Sequence, residues 1–226
     1  MPTKSHSRGS SIVAGRGAIY LYRSVILFLG YVISARFGLN FAHMDGNITL
    51  VWMPTGISVA ALYLWGLRYW PGVFLGALAT DMALGSSFSL SSWSAAGGCA
   101  APVLAAYLLR RTAAFDRHLG RRIDVAYFSI VAALGCMLLS ATNGTVTRYV
   151  AGEIPADAFF TGWIMYWMRD AVGVLLAAPV FLTAVDGGWS QWRSRCSAPM
   201  LFRILFSLLT CSWIAFSHPL QLVHLP

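Results

Sequence analysis

The chain has 226 residues, of which 58% are hydrophobic and only 11% are charged. A soluble domain carries about 25% charged residues, so this composition excludes a soluble globular class and indicates a polytopic membrane protein. The net charge of +8 could suggest nucleic-acid binding. The basic residues instead fall in short loops between apolar runs, as membrane topology determinants do. We therefore expect the lipid bilayer, and no nucleic acid, as a partner.

Seven apolar runs predict an all-α bundle of about seven transmembrane helices, because an isolated strand cannot satisfy its backbone in lipid. The third run is short for a span, which needs about 20 residues. The runs are 18–38, 48–66, 70–85, 92–109, 125–147, 160–185 and 200–217. The predicted organisation is an N-terminal cytoplasmic segment 1–17, a transmembrane domain 18–217 and a short tail 218–226.

The distribution of basic residues predicts a cytoplasmic N-terminus, because cytoplasmic loops are enriched in lysine and arginine. The basic residues at alternate loops are Lys4, Arg8 and Arg16, then Arg68, then Arg110, Arg111, Arg117, Arg121 and Arg122, then Arg193, Arg195 and Arg203. The opposite loops hold Arg36, Arg148, Asp45, Glu153 and Asp157. With an odd number of spans, the C-terminus is expected on the outside.

The second run opens with Trp52, Met53, Pro54, Thr55 and Gly56. A proline inside a helix removes a backbone hydrogen bond, and glycine lets another helix approach closely. The segment is interpreted either as a kink that faces a ligand or as a kink that serves packing.

The third run places Gly72 and Gly76 four residues apart, on a stripe of small residues typical of helix packing. Asp81 lies off this stripe and about one turn from the outer end. It either reaches the membrane interface or faces an outward-open polar cavity, because an intramembrane carboxylate is costly.

The sixth run carries Arg169 and Asp170 near mid-span, where each isolated charge would cost at least about 2.5–3.5 kcal/mol. Helical neighbours point about 100° apart, so we expect each to find its partner on another helix or in a water-filled cavity. The residues sharing a face with Asp170 are Trp163, Trp167 and Val174, flanked by the small residues Gly173 and Ala177. This centre either binds a ligand or switches conformation, or it is a structural ion pair.

No catalytic pattern is present: the sequence has no GxSxG elbow, HExxH motif or P-loop. The histidines show no ligand spacing, and Cys99, Cys136, Cys196 and Cys211 form no CxxC pair. We therefore expect neither an enzyme nor a metal or cofactor site, and interpret the cysteines as small apolar residues.

Three blocks in order resemble the MASE1 family of bacterial membrane-associated sensor domains. They are VWMPTGI from Val51 to Ile57, GLRYWPGVFLGA from Gly66 to Ala77, and WMRDAVGVLLAAP from Trp167 to Pro179. The resemblance implies a sensory input domain of the inner membrane, usually with about eight spans. It implies as a partner a cytoplasmic histidine kinase, a GGDEF or EAL output protein, or a membrane partner, and it allows a homodimer. This chain is expected to lack an output domain of its own.

Two functional hypotheses follow. The first is a sensory domain that binds a ligand or partner within the bundle. The second is a small transporter or substrate-binding membrane subunit, since broken helices and midplane charges also suit transport. The expected lining of the sensing centre is Trp52, Pro54, Thr55, Asp81, Trp167, Arg169 and Asp170. The expected helix-packing residues are Gly56, Gly72, Gly76, Gly173 and Pro179.

Overall fold

A computed structural model describes the backbone of residues 6–40 and 51–184 and the side chains of residues 17–39 and 51–183. Every regular element in these ranges is helical, which confirms the all-α class. The helices are α1 His6–Asn40, α2 Met53–Trp65, α3 Trp70–Ala83, α4 Phe88–Arg111, α5 Arg122–Tyr127, α6 Met137–Val150 and α7 Phe159–Ala184. Leu67–Tyr69 and Ala156–Ala158 form 3-10 turns, and Phe128–Gly135 forms a π-helix between α5 and α6.

Four helical stretches are long and apolar enough to cross a bilayer, and they match the first, fourth, fifth and sixth predicted runs. They are Gly17–Leu39, Phe88–Arg111, Arg122–Val150 and Ala156–Thr183. The second and third runs form helices of 13 and 14 residues. These are about 20 Å long at 1.5 Å per residue, shorter than a hydrocarbon core of about 30 Å. The seventh run lies outside the described residues, so the predicted count of about seven spans is not confirmed.

The start of α2 corrects the interpretation of Pro54. The helix begins at Met53, so Pro54 lies in its first turn, where the missing N–H removes no intrahelical bond. The predicted kink is therefore wrong, because the apolar run begins well before the helix does. The Ser58 hydroxyl donates to the Pro54 carbonyl at 2.7 Å. Trp52 consequently precedes the helix, and its backbone contacts α7.

Helices α2 and α7 cross in direct backbone contact at two glycines. The Trp52 N–H donates to the Arg169 carbonyl at 3.0 Å. A side-chain carbon at Gly56 would overlap the Gly173 carbonyl oxygen, and one at Gly173 would overlap the Trp52 carbonyl oxygen. Next to this crossing, Val59 of α2 and Val174 of α7 are fully buried in the same apolar cluster. The two glycines thus bring Trp52 close to Arg169 and Asp170 of α7.

A second close contact joins α3 to α1 through Gly72 and Gly76. A side-chain carbon at Gly72 would lie 2.8 Å from the Ser24 carbonyl oxygen, and one at Gly76 would lie 2.8 Å from the Tyr31 side chain. Tyr31 is itself buried. This packing fixes the position of α3, and with it Asp81 near the end of that helix.

The fifth run is not one regular α-helix, because a π-helix lies between α5 and α6. At its end the Cys136 N–H donates to the Val131 carbonyl at 2.9 Å. A π segment shifts the hydrogen-bond ladder and frees carbonyls for other donors. The Leu134 carbonyl accepts a hydrogen bond from the Trp167 indole of α7 at 2.8 Å, which ties the two helices together.

Candidate functional site

Asp170 lies at the centre of the site and is 1% exposed. The Ser140 hydroxyl of α6 donates to its Oδ2 at 2.7 Å. The Thr55 hydroxyl of α2 donates to its Oδ1 at 3.4 Å. A buried carboxylate must be hydrogen-bonded or paired to offset its lost hydration. Asp170 therefore connects α7 with α2 and α6 through a single side chain.

Arg169 approaches the same carboxylate, with its Nε 3.6 Å from Asp170 Oδ1. The expectation that these neighbours do not pair is therefore wrong, because the long arginine side chain closes the angular gap. The contact is too long for a hydrogen bond. Within the described residues, the buried Nε has no hydrogen-bond acceptor.

Two aromatic rings hold the Arg169 guanidinium. Its Cζ lies 4.0 Å from the ring centre of Tyr166 and 4.8 Å from that of Trp52. Cation–π contacts of this kind are worth about 2 kcal/mol when desolvated. The Arg169 side chain is 17% exposed, so part of it remains accessible. The rings of Tyr166 and Trp52 form an aromatic clamp, which holds the guanidinium in place and leaves part of it accessible.

Two adjacent chambers meet at this clamp. The inner chamber is about 40 Å³ in volume and the outer one is about 250 Å³. The residues lining both are Trp52, Asp81, Ser94, Tyr166 and Arg169. Thr55, Ser140 and Asp170 line only the inner chamber. The outer chamber is bounded by Leu39, Ser86, Arg148 and Glu153, near the ends of α1, α3 and α6. It therefore occupies one end of the bundle and leads towards Asp170.

The outer chamber carries its own ion pair, in which Arg148 Nη1 lies 2.7 Å from Glu153 Oε2. Asp81 has a different environment. No basic side chain among the described residues forms a salt bridge with it, and the Ser94 hydroxyl lies within hydrogen-bonding reach. Of the described carboxylates that line the chamber, Glu153 is thus paired and Asp81 is without a salt bridge.

The structure brings together five of the seven predicted lining residues. Trp52, Thr55, Asp81, Arg169 and Asp170 all line the inner chamber. Pro54 is buried in the first turn of α2 and lines neither chamber. Trp167 does not line them either, because its indole turns towards the π-helix Phe128–Gly135 and donates to the Leu134 carbonyl. Among the predicted packing residues, Gly56 and Gly173 form the α2–α7 crossing, and Gly72 and Gly76 contact α1. Pro179 lies inside α7 and is half-buried.

Sequence reasoning missed Tyr166, Ser140 and Tyr31, all of which line the inner chamber. Tyr166 is 7% exposed and precedes Asp170 by four residues, a spacing that places both on one helix face. That spacing was a usable signal. Ser140 and Tyr31 lie in apolar runs of other helices, and nothing in the local sequence indicates that they face Asp170.

Ser140→Ala is expected to lower the free energy of unfolding by about 1.5–3 kcal/mol, because it removes a donor to a buried carboxylate. Ser92→Ala is the matched control, since the Ser92 hydroxyl donates only within its own helix, to the Phe88 carbonyl. The control should change stability by less than about 0.5 kcal/mol. Unfolding of both purified variants in mixed micelles measures the difference. Equal effects would show that the Ser140–Asp170 bond adds no stability.

No group of three or more histidine, cysteine or acidic side chains in the described ranges is arranged to hold a metal ion. What the site offers is a charged, aromatic-walled cavity at one end of a membrane bundle. This cavity lies next to a carboxylate that connects three helices. Buried ionisable groups within membrane helices mark ligand or ion sites by default.

Comparison with known proteins identifies the family of this chain. The chain is 26% identical over 202 residues to the probable diguanylate cyclase DgcE of Escherichia coli (strain K12), with 86% of this chain aligned. It spans only 18% of that relative's length. No solved structure matches the chain. The MASE1 family model matches residues 23–226, which include the buried Asp170 and both chambers. The chain therefore belongs to the MASE1 family of membrane-associated sensor domains.

Proposed function

We propose that this chain is the input region of a signalling protein in the bacterial inner membrane, which senses a ligand or partner within its helical bundle. The observation that carries the proposal is the buried Asp170, hydrogen-bonded to both Thr55 of α2 and Ser140 of α6. One group that joins three helices can report a local change to all of them. Its position beside an accessible chamber gives a ligand a route to it.

The proposed signal is a change in helix packing around Asp170. The Arg169–Asp170 contact at 3.6 Å is not a hydrogen bond, so an anion in the outer chamber that hydrogen-bonds to the guanidinium would compete with Asp170 for it. Asp170 would then be held by Thr55 and Ser140 alone. A ligand shifts such an equilibrium only by its differential affinity for the two packings, and Arg169 supplies that difference.

The proposed orientation places the N-terminus in the cytoplasm. Arg110, Arg111, Arg117, Arg121 and Arg122 lie at or between the ends of α4 and α5, which favours that end as cytoplasmic. The chamber lies at the opposite end, beside Leu39 and Glu153. The sensing cavity would accordingly face the outside.

The proposed output is synthesis of a cyclic dinucleotide by a GGDEF partner. It rests on the relative, which is described as a probable diguanylate cyclase and is much longer than this chain. Packing changes in the bundle would be transmitted to that output through the membrane helices.

The test is a hybrid in which this chain replaces the matched segment of the E. coli relative. Asp170→Asn keeps the side-chain shape but removes the charge that attracts Arg169. We expect cyclic-di-GMP output to change by at least about fivefold, the scale of a typical coupling energy. Output is measured per unit of membrane-inserted protein. Unchanged output at equal membrane levels would remove Asp170 from the signalling role.

A further inference from the structure

The described residues that line the outer chamber carry two acidic and two basic side chains, which are Asp81, Glu153, Arg148 and Arg169. A ligand with a single net charge would leave an uncompensated charge in this partly desolvated space, which is costly. A ligand without net charge would avoid that cost.

These four charged groups nevertheless differ in how closely each is paired with an opposite charge. Arg148 and Glu153 neutralise each other at 2.7 Å. Asp81 forms no salt bridge with a described basic residue, and Arg169 contacts Asp170 without a hydrogen bond from its Nε. Among the described residues, Asp81 therefore has no salt-bridge partner, and Arg169 is paired only loosely, with Asp170 at 3.6 Å. Both groups line the inner and outer chambers.

We propose that the outer chamber binds a small zwitterion, whose cationic amine contacts Asp81 and whose acid group contacts Arg169. The inference rests on the proposed sensory function and names the class of its ligand. The volume of about 250 Å³ is below the roughly 300–1,000 Å³ of sites for drug-sized ligands, so the ligand is small. Its acid group draws the guanidinium from Asp170, which links occupancy to the helices.

The experiment is isothermal titration calorimetry of the full chain in lipid nanodiscs. The probes are glycine, 4-aminobutyrate and 6-aminohexanoate, which differ in the separation of amine and acid. For the best of these, the corresponding simple amine, simple acid and neutral amide are titrated as well. We expect saturable binding of at least one zwitterion. Each comparator should bind at least about tenfold more weakly, because hydrogen bonds to charged groups contribute about 1.5–3 kcal/mol.

Asp81→Asn is expected to remove the advantage of the zwitterion over the simple acid, a loss of at least about tenfold in affinity. Binding of the simple acid should stay within about twofold, since Arg169 is intact. Asp116→Asn is the matched control, because Asp116 lines neither chamber. It should leave every affinity unchanged.

The inference is overturned if no zwitterion of the panel binds, or if the amine, acid or amide alone binds as tightly. It is also overturned if Asp81→Asn and Asp116→Asn behave alike. These outcomes differ from failure of the proposed function. If a zwitterion binds but the Asp170→Asn hybrid has unchanged output, the zwitterion site stands and the signalling role of Asp170 is removed. If the output of that hybrid changes but no zwitterion binds, the signalling role stands and the zwitterion site is removed.

Discussion

Gly173→Ala is expected to destabilise the bundle by about 3 kcal/mol, at the upper end for an overpacked core. The added methyl group would overlap the Trp52 carbonyl oxygen. The backbones cannot separate without loss, because the Trp52 N–H donates to the Arg169 carbonyl at 3.0 Å. Relief of the overlap therefore breaks the contact that positions Trp52 over Arg169. The midpoint of thermal unfolding in detergent and the yield in the membrane fraction both report the effect.

Gly30→Ala is the matched control for this substitution. Gly30 lies in α1, and a side-chain carbon there meets no heavy atom within 4 Å. Alanine should leave stability unchanged or raise it by up to about 1 kcal/mol, because glycine is the weaker helix former. If Gly173→Ala proved as stable as Gly30→Ala, the close α2–α7 crossing would be contradicted.

Arg169→Gln is expected to lower the free energy of unfolding by about 3 kcal/mol. Removing one partner of a buried ion pair leaves the other charge uncompensated, and Asp170 is fully buried. The substitution also empties the aromatic clamp of Trp52 and Tyr166, where the guanidinium lies 4.8 and 4.0 Å from the ring centres.

A double-mutant cycle separates these two contributions. Combining Arg169→Gln with Asp170→Asn removes both charges, so the double variant should be more stable than Arg169→Gln alone by about 1–2 kcal/mol. The stability that the double variant still lacks relative to the unaltered chain is the contribution of the aromatic clamp. Unfolding of the four proteins in mixed micelles gives the coupling energy. Strict additivity of the two changes would show that the pair at 3.6 Å carries no interaction.

Composition alone determines the class of this protein, because too few charged residues are present to cover a soluble surface. The long helices also follow from the sequence: the predicted runs 92–109 and 160–185 correspond to Phe88–Arg111 and Phe159–Ala184. Hydropathy could not place the start of α2, since residues 48–52 are as apolar as the helix they precede. That is why Pro54 was assigned to a kink.

The candidate site could be predicted only in part. Arg169 and Asp170 could be identified as candidate site residues because a charge within the membrane carries a free-energy cost that requires an explanation. Helical spacing indicates which residues share a face with Asp170, but not which neighbouring helix each of them meets. Trp167 was therefore predicted to line the centre, whereas its indole donates to the Leu134 carbonyl of the π-helix instead. The partners Thr55 and Ser140 are 115 and 30 residues away from Asp170, and only the packed structure brings them together.

The most direct measurement of the central claim is the cyclic-di-GMP output of the hybrid, compared between the unaltered chain and Asp170→Asn at equal membrane levels. A change of at least about fivefold, absent from Ser92→Ala, is the predicted result. Equal output from Asp170→Asn and the unaltered hybrid, with both proteins folded in the membrane, would contradict the assignment of Asp170 as the group that couples the chamber to the helices.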